Sequence, residues 1–232
     1  MAGPVTPSAR PPSQLPWPAG WARRTFGPQY RPAVVVGVLC VLLAATLGIR
    51  NPADAFLIAV FAVGLFVWAL RPAPAYPIRV SAVDLDGQRG AQFPLRITNP
   101  LIPRRPSVTL TPTAVVTHAG APLVIPWSEI TEVRASHLRT GVPHSLLPPP
   151  RQNWLTIGVA DLRAIRGAGP KLAARFGGNT VAGFPTTSVL SNPLVLYHTL
   201  HYYLDNPQAR PELATGWAVE RIRAARVEPY DA

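Results

Sequence analysis

Hydrophobic and polar positions are distributed unevenly along the chain. From 32 to 49 the run PAVVVGVLCVLLAATLGI holds no charge, and from 55 to 70 the run AFLIAVFAVGLFVWAL holds none. These stretches of 18 and 16 residues each contain ten Leu, Ile, Val or Phe and show no polar face. A helix needs roughly 20 apolar residues to cross about 30 Å of hydrocarbon. Each large apolar side chain favours insertion by about 0.3 to 0.6 kcal/mol, and arginines at the ends, here Arg50 and Arg71, reach the interface by snorkelling. The runs therefore predict a transmembrane helical hairpin over 32–71, turning at Asn51-Pro52, rather than two buried helices of a globular core. Ala53-Asp54-Ala55 mimics a signal-peptide cleavage site, but 31 residues precede the first run and a second run follows at once, which favours a hairpin.

Arginine positions predict the orientation. Arg10, Arg23, Arg24 and Arg31 precede the hairpin, Arg71 and Arg79 follow it, and between the runs Arg50 is offset by Asp54. Positive residues stay on the cytoplasmic side. The expectation is a multi-pass protein of the plasma membrane with both termini in the cytoplasm.

Residues 1–31 contain seven prolines and no acidic residue. Dense proline blocks both helix and sheet, which predicts an extended, disordered cytoplasmic tail. Its second half, WPAGWARRTFGPQYR, interleaves aromatic rings with arginines. Beside a bilayer this pattern reads as an interfacial anchor, with Trp17, Trp21, Arg23, Arg24, Arg31 and Arg71 as the candidates. Stacking on single-stranded nucleic acid uses the same residue types, but the position next to the first apolar run disfavours it.

Beyond residue 71 the pattern changes to short strands. IRVSAV (78–83), FPLRIT (93–98), SVTLT (107–111), AVVTH (114–118), LVIPW (123–127), ITEVRA (130–135) and NWLTIGV (153–159) are β-branched or aromatic runs separated by Gly, Pro, Asn and Asp clusters. VAGFPTTSV (181–189) adds a further candidate. The period then shifts to that of a helix: Leu196, Tyr197, Leu200, Tyr203 and Leu204 fall on one face, between Asn192-Pro193 and Asn206-Pro207. Strands closed by one amphipathic helix predict an α+β domain over 76–205, in which the helix plugs a small bent barrel. Residues 206–232 read as a helical extension.

LTPTAVVTHAGAPLVIPWSEITEVRA (110–135) resembles the central hairpin of bacterial pleckstrin-homology-like domains, where a hydrophobic-Pro-Trp step leads into a Ser/Asp-Glu/Asp-Ile/Val sequence. Here the step is Ile125-Pro126-Trp127-Ser128-Glu129-Ile130. NPLVLYHTLHYYLDNPQARPEL (192–213) is similar to the terminal helix of membrane-anchored actinobacterial members. The resemblance implies a pleckstrin-homology-like fold on a two-span anchor in a bacterium. Phosphoinositide-binding members typically carry basic residues in the first hairpin. The corresponding segment here, Thr111 to Trp127, has only His118, so inositol-lipid recognition is not implied.

Composition bounds the chemistry. The 232 residues carry a net charge of +11, and a single cysteine, Cys40, excludes a disulfide framework and multi-cysteine metal sites. Pro and Gly, 29 and 17 residues, stay below the level of low-complexity chains. Carboxylates are sparse, and Asp84 and Asp86 beside Gly87 read as hairpin-turn residues. His198, His201 and Asp205 share a helix face, which is either solvated or a metal site. Gly167 to Lys171 lacks the spacing of a phosphate loop. Arginines are the stronger feature: Arg104 and Arg105 in one loop, then Arg134, Arg139 and Arg151, are the candidates to face a lipid or an acidic partner.

The sequence thus predicts a non-enzymatic binding or assembly module without cofactor, catalytic residues or metal. Its expected partners are the lipid bilayer, another membrane or cytoplasmic protein, or a second copy, and not nucleic acid. A reader of anionic headgroups and a metal-dependent membrane enzyme are the alternatives.

Overall fold

A computed structural model of the chain describes residues 15–23, 30–48, 52–69, 77–96, 106–118, 122–139, 151–165 and 176–227. The chain divides into two compact units, the first made of Met1–Trp21, Ala75–Ser136 and Trp154–Ala232, the second of Ala22–Pro74 and His137–Asn153.

The first unit is α+β. Strands β1 (Ser81–Leu85), β2 (Gln88–Pro94), β3 (Ser107–Leu110), β4 (Ala114–Thr117) and β5 (Leu123–Pro126) form one antiparallel sheet in sequence order. A second sheet has the order β6 (Ile130–Arg139), β7 (Arg151–Val159) and β8 (Thr180–Pro185), with β7 and β8 antiparallel. Strands β6 and β7 run across the division between the units. The Asp86-Gly87 turn fixes the β1–β2 register. Both residues have positive φ, 51° and 80°, and Gly87 N donates to Asp84 Oδ1 at 3.0 Å, which is the backbone a two-residue hairpin requires.

The two sheets are stitched together after β8. Leu95 bridges Val189, Arg96 N donates to Ser188 O at 2.6 Å, and Leu190 N donates to Pro94 O at 3.0 Å. Helix α3 (Pro193–Asp205) follows. Asn192 caps it by accepting from Leu194 N, and Pro193 opens its first turn. The runs at 107–111, 114–118, 123–127, 130–135 and 153–159 and this helix match the sequence reading, whereas the strand expected at 93–98 lies at Gln88–Pro94 and pairs with Ser81–Leu85 across the Asp86-Gly87 turn. The helix, however, buries more than one stripe: Leu194, Val195, His198, Thr199 and Tyr202 are covered along with Leu196, Leu200 and Tyr203.

Residues 206–227 pack onto the same core. A 3₁₀ stretch, Pro207–Ala214, leads to α4 (Gly216–Arg223), and Leu213, Ala218, Ile222 and Val227 belong to the same core cluster as Phe93, Ile125 and Leu200. Tyr203 Oη donates to Glu212 Oε1 at 2.8 Å, Arg221 pairs with Glu212 at 2.8 Å, and Arg223 donates to Val80 O at 3.0 Å. Trp127 occupies the core, donating Nε1–H to Thr111 O at 2.8 Å, with the Arg210 guanidinium 5.1 Å above its ring.

The second unit contains two helices, α1 (Tyr30–Gly48) and α2 (Pro52–Ala69). They pack through small residues, with Gly37 and Ala62 buried, while Leu39, Leu42, Phe56, Leu57 and Phe61 are exposed. Among the described residues no helix is long and apolar enough to cross a membrane. The 19 and 18 helical residues include the polar starts Tyr30-Arg31-Pro32 and Pro52-Ala53-Asp54. The uninterrupted apolar parts, 33–48 and 55–69, rise only about 24 and 22 Å at 1.5 Å per residue, against about 30 Å of hydrocarbon. This corrects the transmembrane hairpin, and with it the multi-pass topology, the plasma-membrane localisation and the assignment of both termini to the cytoplasm.

Also within the second unit, Ala22 and Asn153 exchange two hydrogen bonds, Ala22 N to Asn153 Oδ1 at 2.9 Å and Asn153 Nδ2 to Ala22 O at 2.8 Å. His137 Nδ1 lies 3.0 Å from the same Oδ1.

Candidate functional site

Residues 15–21, expected to be part of a disordered tail, are seated in a groove of the first unit. The sequence Leu15-Pro-Trp-Pro-Ala-Gly-Trp21 has the local means to hold a bound shape. Pro16 and Pro18 fix φ and keep the preceding residues extended, and Trp21 N donates to Pro18 O at 3.0 Å, closing a turn over Ala19 and Gly20. Trp17 Nε1 donates to Trp21 O at 3.0 Å, and the two indoles meet edge to face at 5.9 Å. Leu15, Pro18 and Trp21 point into the protein, whereas Pro16, Trp17, Ala19 and Gly20 are exposed.

The groove lies between α3 and the sheet of β6 and β7. Trp21 is 5% exposed, its ring 5.4 Å from that of Tyr197, and its Nε1–H is donated to Trp154 O at 2.8 Å. A buried indole requires such an acceptor. His198 Nε2 lies 2.8 Å from Pro16 O, and one turn further His201 Nε2 lies 3.1 Å from Val133 O on β6. Tyr197 stacks near both imidazoles, at 5.2 and 4.5 Å. Burial, with the Asp205 carboxylate adding to it, holds the Tyr197 hydroxyl above the ordinary tyrosine range. At Gly20 the tail passes so close to β6 that a Cβ would collide with the Ala135 carbonyl oxygen. Only glycine fits there.

The groove therefore recognises main chain as much as side chain. A histidine faces a carbonyl of the tail, a strand carbonyl takes an indole N–H, and a close approach selects glycine. Trp154, whose backbone oxygen forms part of this wall, has its own ring 5.0 Å from Phe176.

The residues expected at a membrane interface have other positions. Trp21 is covered by the protein itself. Trp17 is 42% exposed and donates within the tail. Arg23 is exposed; Arg24 and Arg71 lie outside the described residues, as does the side chain of Arg31. Of the partner-facing arginines, Arg104 and Arg105 also lie outside them. Arg134 is exposed but pairs with Glu132 at 2.6 Å, while Arg139 ends β6 and Arg151 begins β7, both exposed.

His198 and His201 do not lie on a solvated face. Each is directed at a backbone carbonyl oxygen, and among the described residues no group of three His, Cys, Asp or Glu is placed to hold a metal ion. A separate shallow cavity of about 310 Å³ is lined by Ala82, Val83, Asp84, Arg89, Leu213, Thr215 and Gly216.

No family profile matches the chain, and no curated protein or solved structure matches it either.

Proposed function

We propose that the first unit is a pleckstrin-homology-like binding module without a catalytic step, and that the groove between α3 and β6–β7 is its recognition face. One observation carries this reading: the groove holds a peptide segment through side-chain burial, an indole hydrogen bond and a histidine on a main-chain carbonyl. Those are the elements by which a module binds an extended peptide, with pockets for anchor side chains and polar groups for the backbone. Its two helix histidines each direct Nε2 at a backbone carbonyl oxygen, the polar contact a peptide-binding face uses.

Limited trypsinolysis of the full chain tests the groove. The double substitution Tyr197→Ala and His198→Ala removes the ring beneath Trp21 and the partner of Pro16 O. Cleavage after exposed Arg23 is expected to accelerate by about tenfold or more, because proteolysis follows local opening, with the near-UV circular dichroism of the core retained. An unchanged cleavage rate would mean that the groove does not hold the segment.

A further inference from the structure

The segment seated in the groove is a sample of the ligand the groove accepts. We infer that residues 15–21 are a displaceable cis ligand, and that the groove's trans partner is a peptide of the same chemistry: a proline-flanked turn with a buried leucine, a glycine at the closest approach and a tryptophan three residues after the second proline, where it closes the turn. This rests on the recognition face proposed above and adds its ligand class and its regulation.

Three observations support it. First, the segment and the groove are far apart in sequence, joined by contacts such as His198 to Pro16 O across 182 positions and Trp21 to Trp154 O across 133. Among the described residues, 15–21 enter no sheet, so β-pairing does not tie this segment in. Secondly, it is held by a few anchors, of which Leu15 and Trp21 reach the core cluster. Leu15, Pro18 and Trp21 are buried, and the residues between them remain open to solvent. Thirdly, the specificity is stated by the geometry. Gly20 is required by the Ala135 carbonyl, and Trp21 is read by both faces of its chemistry, the ring by Tyr197 and the N–H by Trp154 O.

Covalent attachment sets the regulation. A tethered ligand acts at an effective concentration on the order of millimolar. A segment with three anchors needs only modest intrinsic affinity to occupy the groove under those conditions, and a free peptide must compete with it. The tail therefore closes the module until it is withdrawn. The exposed Trp17, which holds the turn by donating to Trp21 O, is the accessible point at which a partner would begin to peel the segment away.

Fluorescence anisotropy on the full chain tests this, with a labelled peptide of residues 13–23 as the probe. Gly20→Ala and, separately, Trp21→Ala change only the tail and leave the groove intact. Both chains are expected to bind the peptide about tenfold more tightly than the unaltered chain does, and the peptide carrying Gly20→Ala is expected to bind neither. Equal affinity of all three chains for the peptide would overturn the proposal, as would undiminished binding of the Gly20→Ala peptide. Loss of near-UV circular dichroism in both variants would show the segment to be an integral part of the core and would overturn it too. If the groove itself is misassigned, the trypsin experiment fails first. If only displaceability is wrong, that experiment succeeds and the anisotropy one does not. A shift of the Gly20→Ala chain to a dimer with exchanged tails would also count against it, since the altered tail is then still accepted.

Discussion

Helices α1 and α3 have opposite relations between composition and burial. α1 is almost wholly apolar, yet Leu39 and Leu42 are each 59% exposed, and among its described side chains Gly37 alone is buried. α3 contains two histidines, a threonine and three tyrosines, yet Val195, Leu196, Thr199, Leu200 and Tyr203 are completely buried. Apolar content measures what a helix would gain by burial; it does not supply the partner. α3 is buried because partners reach it from distant parts of the chain, β6 at Val133 and the tail at Pro16, and from the segment that follows it at Glu212.

The comparison is tested most strongly by Leu200→Ala. A fully buried leucine loses its transfer energy and leaves a cavity, so about 2 to 5 kcal/mol of unfolding free energy should disappear from urea titrations. A loss below about 1 kcal/mol would mean that α3 is not in the core.

Alkaline pH gives the next effect. Burial, followed by the hydrogen bond to Glu212, raises the Tyr203 hydroxyl far above its usual value. Its contribution is fully present below about pH 10, the unfolded value. As pH rises beyond that, the unfolded chain loses its proton first, and stability falls by up to about 1.4 kcal/mol per pH unit for this group. Tyr203→Phe should flatten that part of the stability curve. A slope identical in the variant would remove Tyr203 as its source.

The helix cap comes third. Asn192→Ala leaves Leu194 N without its side-chain acceptor, at a cost of about 1 kcal/mol, readable as a lowered thermal midpoint. The smallest effect is expected on α1, where Leu42→Ala changes an exposed side chain and should stay within about 0.5 kcal/mol. A cost equal to that of Leu200→Ala would show that Leu42 is covered, and would erase the contrast between the helices.

Strands were legible because their signal is local. The Asp86-Gly87 turn, the β-branched runs and the Asn192-Pro193 helix start all announce themselves within a few residues. Trp127, the indole of the hydrophobic-Pro-Trp step, takes a core position with its N–H on Thr111 O, as a large indole after a strand commonly does. The stripe through Leu196, Leu200 and Tyr203 located one face of α3, but His198 meets a segment 182 residues away, which no window contains. The tail misled for the same reason. Residues 15–21 are neither helix nor strand, yet a peptide with Leu15 and Trp21 as anchors is well suited to fill a groove. Gly20 between Pro18 and Trp21 was the available signal, and it has meaning only once Ala135 is known to lie against it. The apolar runs at 32–49 and 55–70 were read from composition, and their polar starts left too little uninterrupted length.

The account rests on Trp21 lying in the groove, and nuclear magnetic resonance of the indole N–H of the full chain observes this directly. With Nε1 2.8 Å from Trp154 O and the ring 5.4 Å from Tyr197, that proton is predicted to exchange slowly with solvent. It should also show a nuclear Overhauser contact to the Tyr197 ring protons that is lost on Gly20→Ala. A Trp21 indole that exchanges as fast as that of exposed Trp217, with no contact to Tyr197, would contradict it.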